Sequence, residues 1–219
     1  MAKTSIARNV AISLLPPILT EQIRGIKNGF IKRQSRLFDG NDKMFKEVLS
    51  STSVYGEYGC GLSTVWVTQN TSCPVFSVDT SAYWIENTKK FINMPKRAQL
   101  HYVDAGEVGA WGRPKSFKNR SRFSEYTDWI WQQDEKPDTI LIDGRFRVCC
   151  FLTILVKAQK GTKIIFDDYL EREQYHVAED FVKKSDICGR QALFVVPEFS
   201  IEQITEARKE LERFRYVMD

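Results

Sequence analysis

From Val54 to Val196 the chain alternates short apolar runs with longer stretches in which apolar residues recur at helical spacing. The runs predict strands over Val54–Glu57, Val75–Asp79, Gln99–Asp104, Thr139–Asp143 and Lys163–Asp167. The stretches between them predict helices over Ser63–Gln69, Tyr83–Phe91, Ser124–Gln133, Val148–Gln159 and Arg172–Lys184. Short apolar strands separated by helices imply a parallel sheet covered on both faces. Ala192–Val196 reads as a late strand and Ile201–Arg215 as a terminal helix. Ahead of the alternation, Thr20–Leu37 is a basic amphipathic helix, with Ile23, Ile26, Phe30 and Ile31 on one side. Asn41 is placed to cap a short helix carrying Met44, Phe45 and Leu49. Residues 1–50 are therefore expected as a helical extension packed on a core of residues 51–219, one domain overall. Val108–Arg122 breaks the alternation; it is basic and aromatic, and loops of that length have a function or are disordered.

Composition narrows the setting. A hydrophobic fraction of 42% and a charged fraction of 27% over 219 residues are those of an ordinary globular chain. The net charge of +4 is mild and scattered, which speaks against nucleic acid. Five cysteines, with no Cys-x-x-Cys spacing, fit free thiols in a reducing cytoplasm better than a disulfide framework or a zinc site. Pro16-Pro17 interrupts the one partly apolar stretch near the N-terminus, and no run approaches the roughly 20 apolar residues of a membrane helix. A cytoplasmic location without membrane contact is expected.

All five core strands are expected to end in an acid: Glu57, Asp79, Asp104, Asp143 and Asp167. In a doubly wound sheet the carboxyl ends of strands are where ligands bind. Aspartates also cap helices well, so capping is the competing explanation. Gly59 and Gly61 let backbone approach a ligand closely, and Asp79 can accept hydrogen bonds from both hydroxyls of a ribose. Together, Glu57-Tyr-Gly-Cys-Gly-Leu-Ser-Thr64 resembles the first motif of class I S-adenosylmethionine-dependent methyltransferases, with Asp79 matching their ribose-binding acid and Asp104-Ala105 their adenine-contacting pair. The resemblance implies a Rossmann-like, doubly wound, mostly parallel sheet of about six or seven strands with helices on both faces, plus the N-terminal helices. It also implies S-adenosylmethionine as cofactor, held by Glu57, Gly59, Cys60, Gly61, Ser63, Thr64, Asp79, Asp104 and Ala105. The rival is a dinucleotide-binding fold, which asks for a third glycine where this chain has Thr64, and for no acid at Glu57 to oppose a pyrophosphate.

A second constellation pairs Ile142-Asp143-Gly144-Arg145 with Phe166-Asp167-Asp168-Tyr169. If strands four and five are neighbours, their ends lie about 5 Å apart and the carboxylates cluster. Such a cluster binds a cation, pairs with arginine or holds a proton. It resembles the acids that hold magnesium in catechol-type and, more loosely, macrocin-type O-methyltransferases, which implies Asp143, Asp167 and Asp168 as metal ligands and Mg2+ as a second cofactor. Arg145 or Arg147 is the alternative, neutralising the acids internally. Asp143 or Asp168 is then a candidate general base, with His176 as a second. Arg145 and Arg147, with the basic loop from Arg113 to Arg122, suit an anionic acceptor such as a carboxylate, phosphate or acidic sugar, against a merely solvated basic face. His101 is expected in the core, and Cys149-Cys150 at the start of a buried helix. The expected activity is methyl transfer to a small or medium-sized acceptor, at oxygen. The alternatives are a non-catalytic nucleoside-binding protein and an NAD-dependent oxidoreductase. The Thr20–Leu37 helix offers a face for a homodimer.

Overall fold

The computed structural model describes residues 37–92 and 96–219, so the helix expected over Thr20–Leu37 lies outside the described residues but for its last. A short helix α1 (Lys43–Leu49) leads into β1 (Tyr55–Tyr58), α2 (Leu62–Asn70), β2 (Val75–Asp79), α3 (Ala82–Lys89) and β3 (Ala98–Tyr102). Then follow α4 (Phe123–Asp128), β4 (Thr139–Ile142), α5 (Arg147–Lys157), β5 (Lys163–Phe166), the hairpin β6 (Asp186–Cys188) and β7 (Gln191–Val195), and α6 (Ile201–Phe214). The strands form one seven-stranded sheet in the order β3-β2-β1-β4-β5-β7-β6. β1 to β5 run parallel, whereas β7 runs antiparallel to both β5 and β6. This is the expected doubly wound α/β architecture.

The central strands are buried on both faces, which is why β4 and β5 read as continuous apolar runs. One face of the sheet is covered by α5 and the aromatic residues Phe123, Tyr126 and Phe146, with α6 packed outside α5. That placement explains why α5 is apolar nearly all round, including the buried Cys149 and Cys150. Burial pushes the Cys149 thiol up to about 12 and that of Cys150 well above its ordinary value, so both are inert. The other face is closed by α1, whose Met44, Phe45, Val48 and Leu49 pack with Tyr55, Leu141 and Ile165. Asp42, not Asn41, stands at the N-cap of α1, and Asn41 instead turns its amide toward the Phe38 carbonyl.

Four expectations are corrected by packing. The stretch 172–184 is not an α-helix but a 3-10 run over Glu173–Asp180; its buried Tyr175 and Ala178 are three residues apart, the spacing a three-residue turn aligns. The helix expected over Ser124–Gln133 ends at Asp128, and Trp129–Trp131 tightens to 3-10 geometry. There Trp131 is buried and donates to the Tyr58 hydroxyl at 3.0 Å, while Trp129 stacks on His101 at 4.7 Å. His101 is accordingly half-buried rather than core, and lies 2.7 Å from Glu125. Strand β3 stops at Tyr102, two residues short of Asp104, because the pairing with β2 ends at Asp79↔Tyr102. β6 carries no apolar run to announce it, being three residues long with Ile187 exposed.

Candidate functional site

The chain steps outward from β1 to β2 and β3, then returns to β4 and β5, so the order reverses between β1 and β4. Their carboxyl ends therefore flank a crevice, the usual ligand position in such sheets. Gly59 and Gly144 meet there backbone to backbone. Gly59 sits at φ +96°, and a Cβ on it would lie 2.6 Å from Gly144 Cα. A Cβ on Gly144 would fall 2.0 Å from the Tyr126 hydroxyl. Gly59 is thus required for the close packing of the two strand ends. Gly61 is the residue with open space: nothing described lies within 4 Å of a Cβ built on it.

Glu57 lies beneath that loop and is fully buried. Its carboxylate accepts hydrogen bonds from four hydroxyls: Ser63 and Thr64 in the first turn of α2, Ser77 on β2 at 3.0 Å, and Tyr55 at 3.2 Å. Thr64 Oγ1 also accepts from the Gly61 N–H at 2.9 Å. Burial raises the Glu57 carboxyl to about 7, even though the hydroxyl bonds pull the other way. Glu57, Ser63 and Thr64 therefore spend their polar atoms on one another and fix the Gly59–Gly61 turn from below, instead of lining the open space.

Asp79 occupies the neighbouring strand end, 8% exposed. One oxygen accepts from the Cys60 N–H at 3.0 Å and the other from the Ser81 N–H at 2.7 Å. Helix α3 takes its cap from the Ser81 side chain, which accepts from Trp84 N. Asp79 thus ties the glycine turn to β2, and the Cys60 thiol is a further donor to its carboxylate. Burial raises its carboxyl to about 6, opposed by the two backbone N–H bonds and by the charge of Arg145. The segment that broke the sequence pattern folds over this acid. Thr80 donates to the Gly112 carbonyl at 2.6 Å, Gly112 sits at φ +74°, and Trp111 stacks on Trp84 at 6.1 Å. Asp104 lies farther along, its side chain 45% exposed, accepting from the Gly106 N–H and 3.7 Å from Arg122; Ala105 beside it is buried.

The second constellation assembles as expected at the ends of β4 and β5: Asp143, Asp167 and Asp168 offer oxygens all within 4.8 Å of one another. What fills the cluster is arginine. Arg147, 2% exposed, reaches Asp143 at 3.3 Å and Asp168 at 3.2 Å, and donates to the Asp167 and Gly144 carbonyls. Arg190 contacts both oxygens of the fully buried Asp167, at 3.1 and 2.7 Å, and Asp168 at 3.1 Å. Arg172 reaches Asp168 at 2.8 Å. With Arg147, Arg172 and Arg190 engaging the oxygens of all three acids, and Arg190 also pairing with Asp39, guanidinium groups take the positions a hard dication would need, so this donor set does not fit Mg2+. The internal counter-ion is Arg147 rather than Arg145. Arg172 and Arg190 had no signal in the local sequence; the antiparallel pairing Phe166↔Ala192 is what brings residue 190 beside residues 167 and 168.

Within the cluster Asp143 is the most open, its side chain 32% exposed against 18% for Asp168. Burial, and then the adjacent Asp167, hold its carboxyl well above the ordinary range. His176 sits apart from these contacts, against the Tyr169 ring and 3.2 Å from the Tyr169 carbonyl. Arg145 extends from the β4–α5 turn; its backbone N–H donates to the Tyr126 hydroxyl at 3.1 Å, and burial lowers the guanidinium from its usual value. No helix among the described residues is long and apolar enough to cross a membrane.

No protein-family model matches the sequence, and no curated protein matches it significantly. Solved structures do. A methyltransferase-like protein from Silicibacter pomeroyi is similar with a TM-score of 0.68 and 26% identity, over 77% of this chain and 92% of that one. The N-methyltransferase NodS from Bradyrhizobium japonicum, in complex with S-adenosyl-L-homocysteine, is similar with a TM-score of 0.51 and 14% identity, over 81% and 97% of the two chains. A mutant of MtNAS in complex with S-adenosylmethionine gives a TM-score of 0.50 at 11% identity, over 90% and 76%. With its glycine turn after β1, its acid after β2 and its antiparallel β7, this chain has the fold of the class I S-adenosylmethionine-dependent methyltransferases.

Proposed function

We propose that the protein is an S-adenosylmethionine-dependent methyltransferase that methylates an oxygen of a small or medium-sized acceptor. The observation that carries the reading is Asp79, buried at the end of β2 beside the Gly59–Gly61 turn and oriented by the Cys60 and Ser81 N–H groups. A ribose diol supplies the two donors that match it. The dinucleotide alternative is disfavoured by Thr64, fully buried with its hydroxyl on Glu57, where that fold needs a glycine for close helix packing.

When bound, S-adenosylmethionine supplies an electrophilic methyl carbon attached to a sulfonium. The protein's part is placement of the acceptor in line with that carbon, and removal of the acceptor's proton. Asp143 is the group suited to take that proton, being the most exposed acid of the cluster. Asp168 is held by three arginines and acts through position. Arg145 stands beside the crevice as an anion clamp.

Calorimetric titration of S-adenosylhomocysteine is the direct test. Micromolar binding is expected, unchanged by magnesium or EDTA, and weakened about 10- to 100-fold in Asp79→Ala, which removes two charge-assisted hydrogen bonds. Absence of binding would sink the cofactor assignment. A second reading, a nucleoside-binding protein without turnover, draws on the arginine-filled carboxylates. Asp143→Asn discriminates: an enzyme loses turnover while cofactor affinity stays.

A further inference from the structure

The last described residues fold back over the carboxyl edge of β4. Arg145 Nη1 donates to the Asp219 carbonyl oxygen at 2.7 Å, the Arg147 backbone N–H to the Asp219 side-chain carboxylate at 3.0 Å, and Arg113 Nε to the Met218 carbonyl at 2.7 Å. The donors come from three separate places: the loop over Asp79, the β4–α5 turn and the first residue of α5. An aspartate carboxylate is thus seated on the N-terminus of an eleven-residue helix, with two arginines holding the backbone beside it. The Tyr216 ring also lies 6.3 Å from that of the buried Phe123, and the Val217 N–H donates to the Phe214 carbonyl at 3.0 Å. Tyr216 and Val217 are nonetheless 45% and 43% exposed, and Met218 packs against the core.

Arg145 has capacity left. Among the described residues its Nε is buried without a hydrogen-bond partner. Arg145 follows β4 at the carboxyl edge of the sheet, the same edge at which Asp79 ends β2. A carboxylate or phosphate entering here would meet Arg145 and the Arg147 N–H, the two groups that Asp219 now engages.

We infer that residues 216–219 form an acidic strap that occupies an anion subsite, and that a ligand's carboxylate or phosphate displaces Asp219 from Arg145 and the Arg147 N–H. The inference rests on the methyltransferase reading for the place of the subsite in the reaction. Two sources share the chemistry: the amino-acid carboxylate of the cofactor, and an anionic group on the acceptor.

The experiment is titration of the full chain, of Asp219→Asn, and of a chain ending at Arg215, each with S-adenosylhomocysteine, 5′-methylthioadenosine and inorganic phosphate. A strap closed nine-tenths of the time weakens apparent affinity about tenfold, so its removal restores that factor. A gain for S-adenosylhomocysteine but not for methylthioadenosine, which lacks the amino acid, supports the strap and assigns the subsite to the cofactor's carboxylate. A gain for phosphate alone supports it and assigns the subsite to the acceptor. In either case Arg145→Ala, combined with Asp219→Asn, removes the gain. Unchanged affinities in both strap variants overturn the inference, as does an equal gain for methylthioadenosine, which would mark a plug indifferent to charge. Failure of both nucleosides to bind any variant would instead defeat the cofactor reading, with the phosphate series still deciding the strap.

Discussion

Glu57 lets burial be weighed directly against hydrogen bonding. Its carboxyl is fully buried, accepts four hydroxyl bonds, and still stands at about 7 against an ordinary 4.5. Removal from water therefore outweighs the four donors. Because the folded state holds the proton more tightly than the unfolded chain, the group favours folding most below pH 4.5, and that advantage is lost as pH rises through about 7. Linkage gives a loss of about 2.5 kcal/mol between pH 5 and pH 8 from this residue. Glu57→Gln keeps the shape and cannot ionise; any cost of turning two hydroxyls to face its amide does not vary with pH. Urea unfolding of both proteins at pH 5 and pH 8 isolates Glu57, since all other titrating groups are common to the pair. The wild type should weaken by about 2.5 kcal/mol relative to the variant on going to pH 8. A gap that stays constant across that range would refute the reasoning, and would mean the hydroxyls fully compensate the burial.

The same approach applies elsewhere. Gly144→Ala should cost about 1–3 kcal/mol or more, because its Cβ meets the Tyr126 hydroxyl at 2.0 Å and Gly59 backbone at 2.8 Å. Tyr126→Phe should relieve only part of that in a double-mutant cycle, the Gly59 contact remaining; full relief would contradict the backbone packing described. Arg190→Ala leaves Asp167 buried and without its bidentate partner, so a loss of about 3–5 kcal/mol is expected in urea unfolding, and less than about 1 would show the pair to be dispensable. Asp79 binds a diol best as a carboxylate, so S-adenosylhomocysteine affinity should fall as pH drops through about 6, reaching roughly a tenfold loss by pH 5. Affinity flat over that interval would remove Asp79 from the ribose contact.

The alternation of runs and helices was legible because each central strand is buried on both faces and each covering helix on one. Periodicity records burial, and burial is what those elements share. It failed where burial is partial: β3 at the sheet edge, the exposed β6, and the Tyr175–Ala178 turn whose two core contacts suit more than one helix type. The acids of the site were legible too, since a strand that ends in Asp states its own chemistry.

By itself, then, the sequence determined the layered α/β architecture, the glycine turn at Gly59–Gly61, and the carboxyl edge at which Asp79 and Asp143 would stand. These follow from local pattern and from the rule that parallel strands present their ends together. Only the tertiary structure decided what those groups do. Glu57 and Asp79 are both acids beside a glycine loop, yet one is sealed by four hydroxyls and the other is held by the Cys60 and Ser81 N–H groups. The cluster of Asp143, Asp167 and Asp168 reads as a metal site until Arg147, Arg172 and Arg190 arrive from a helix, a turn and a hairpin. Charge compensation depends on distances of a few ångströms between residues far apart in the chain, and only the folded backbone sets those.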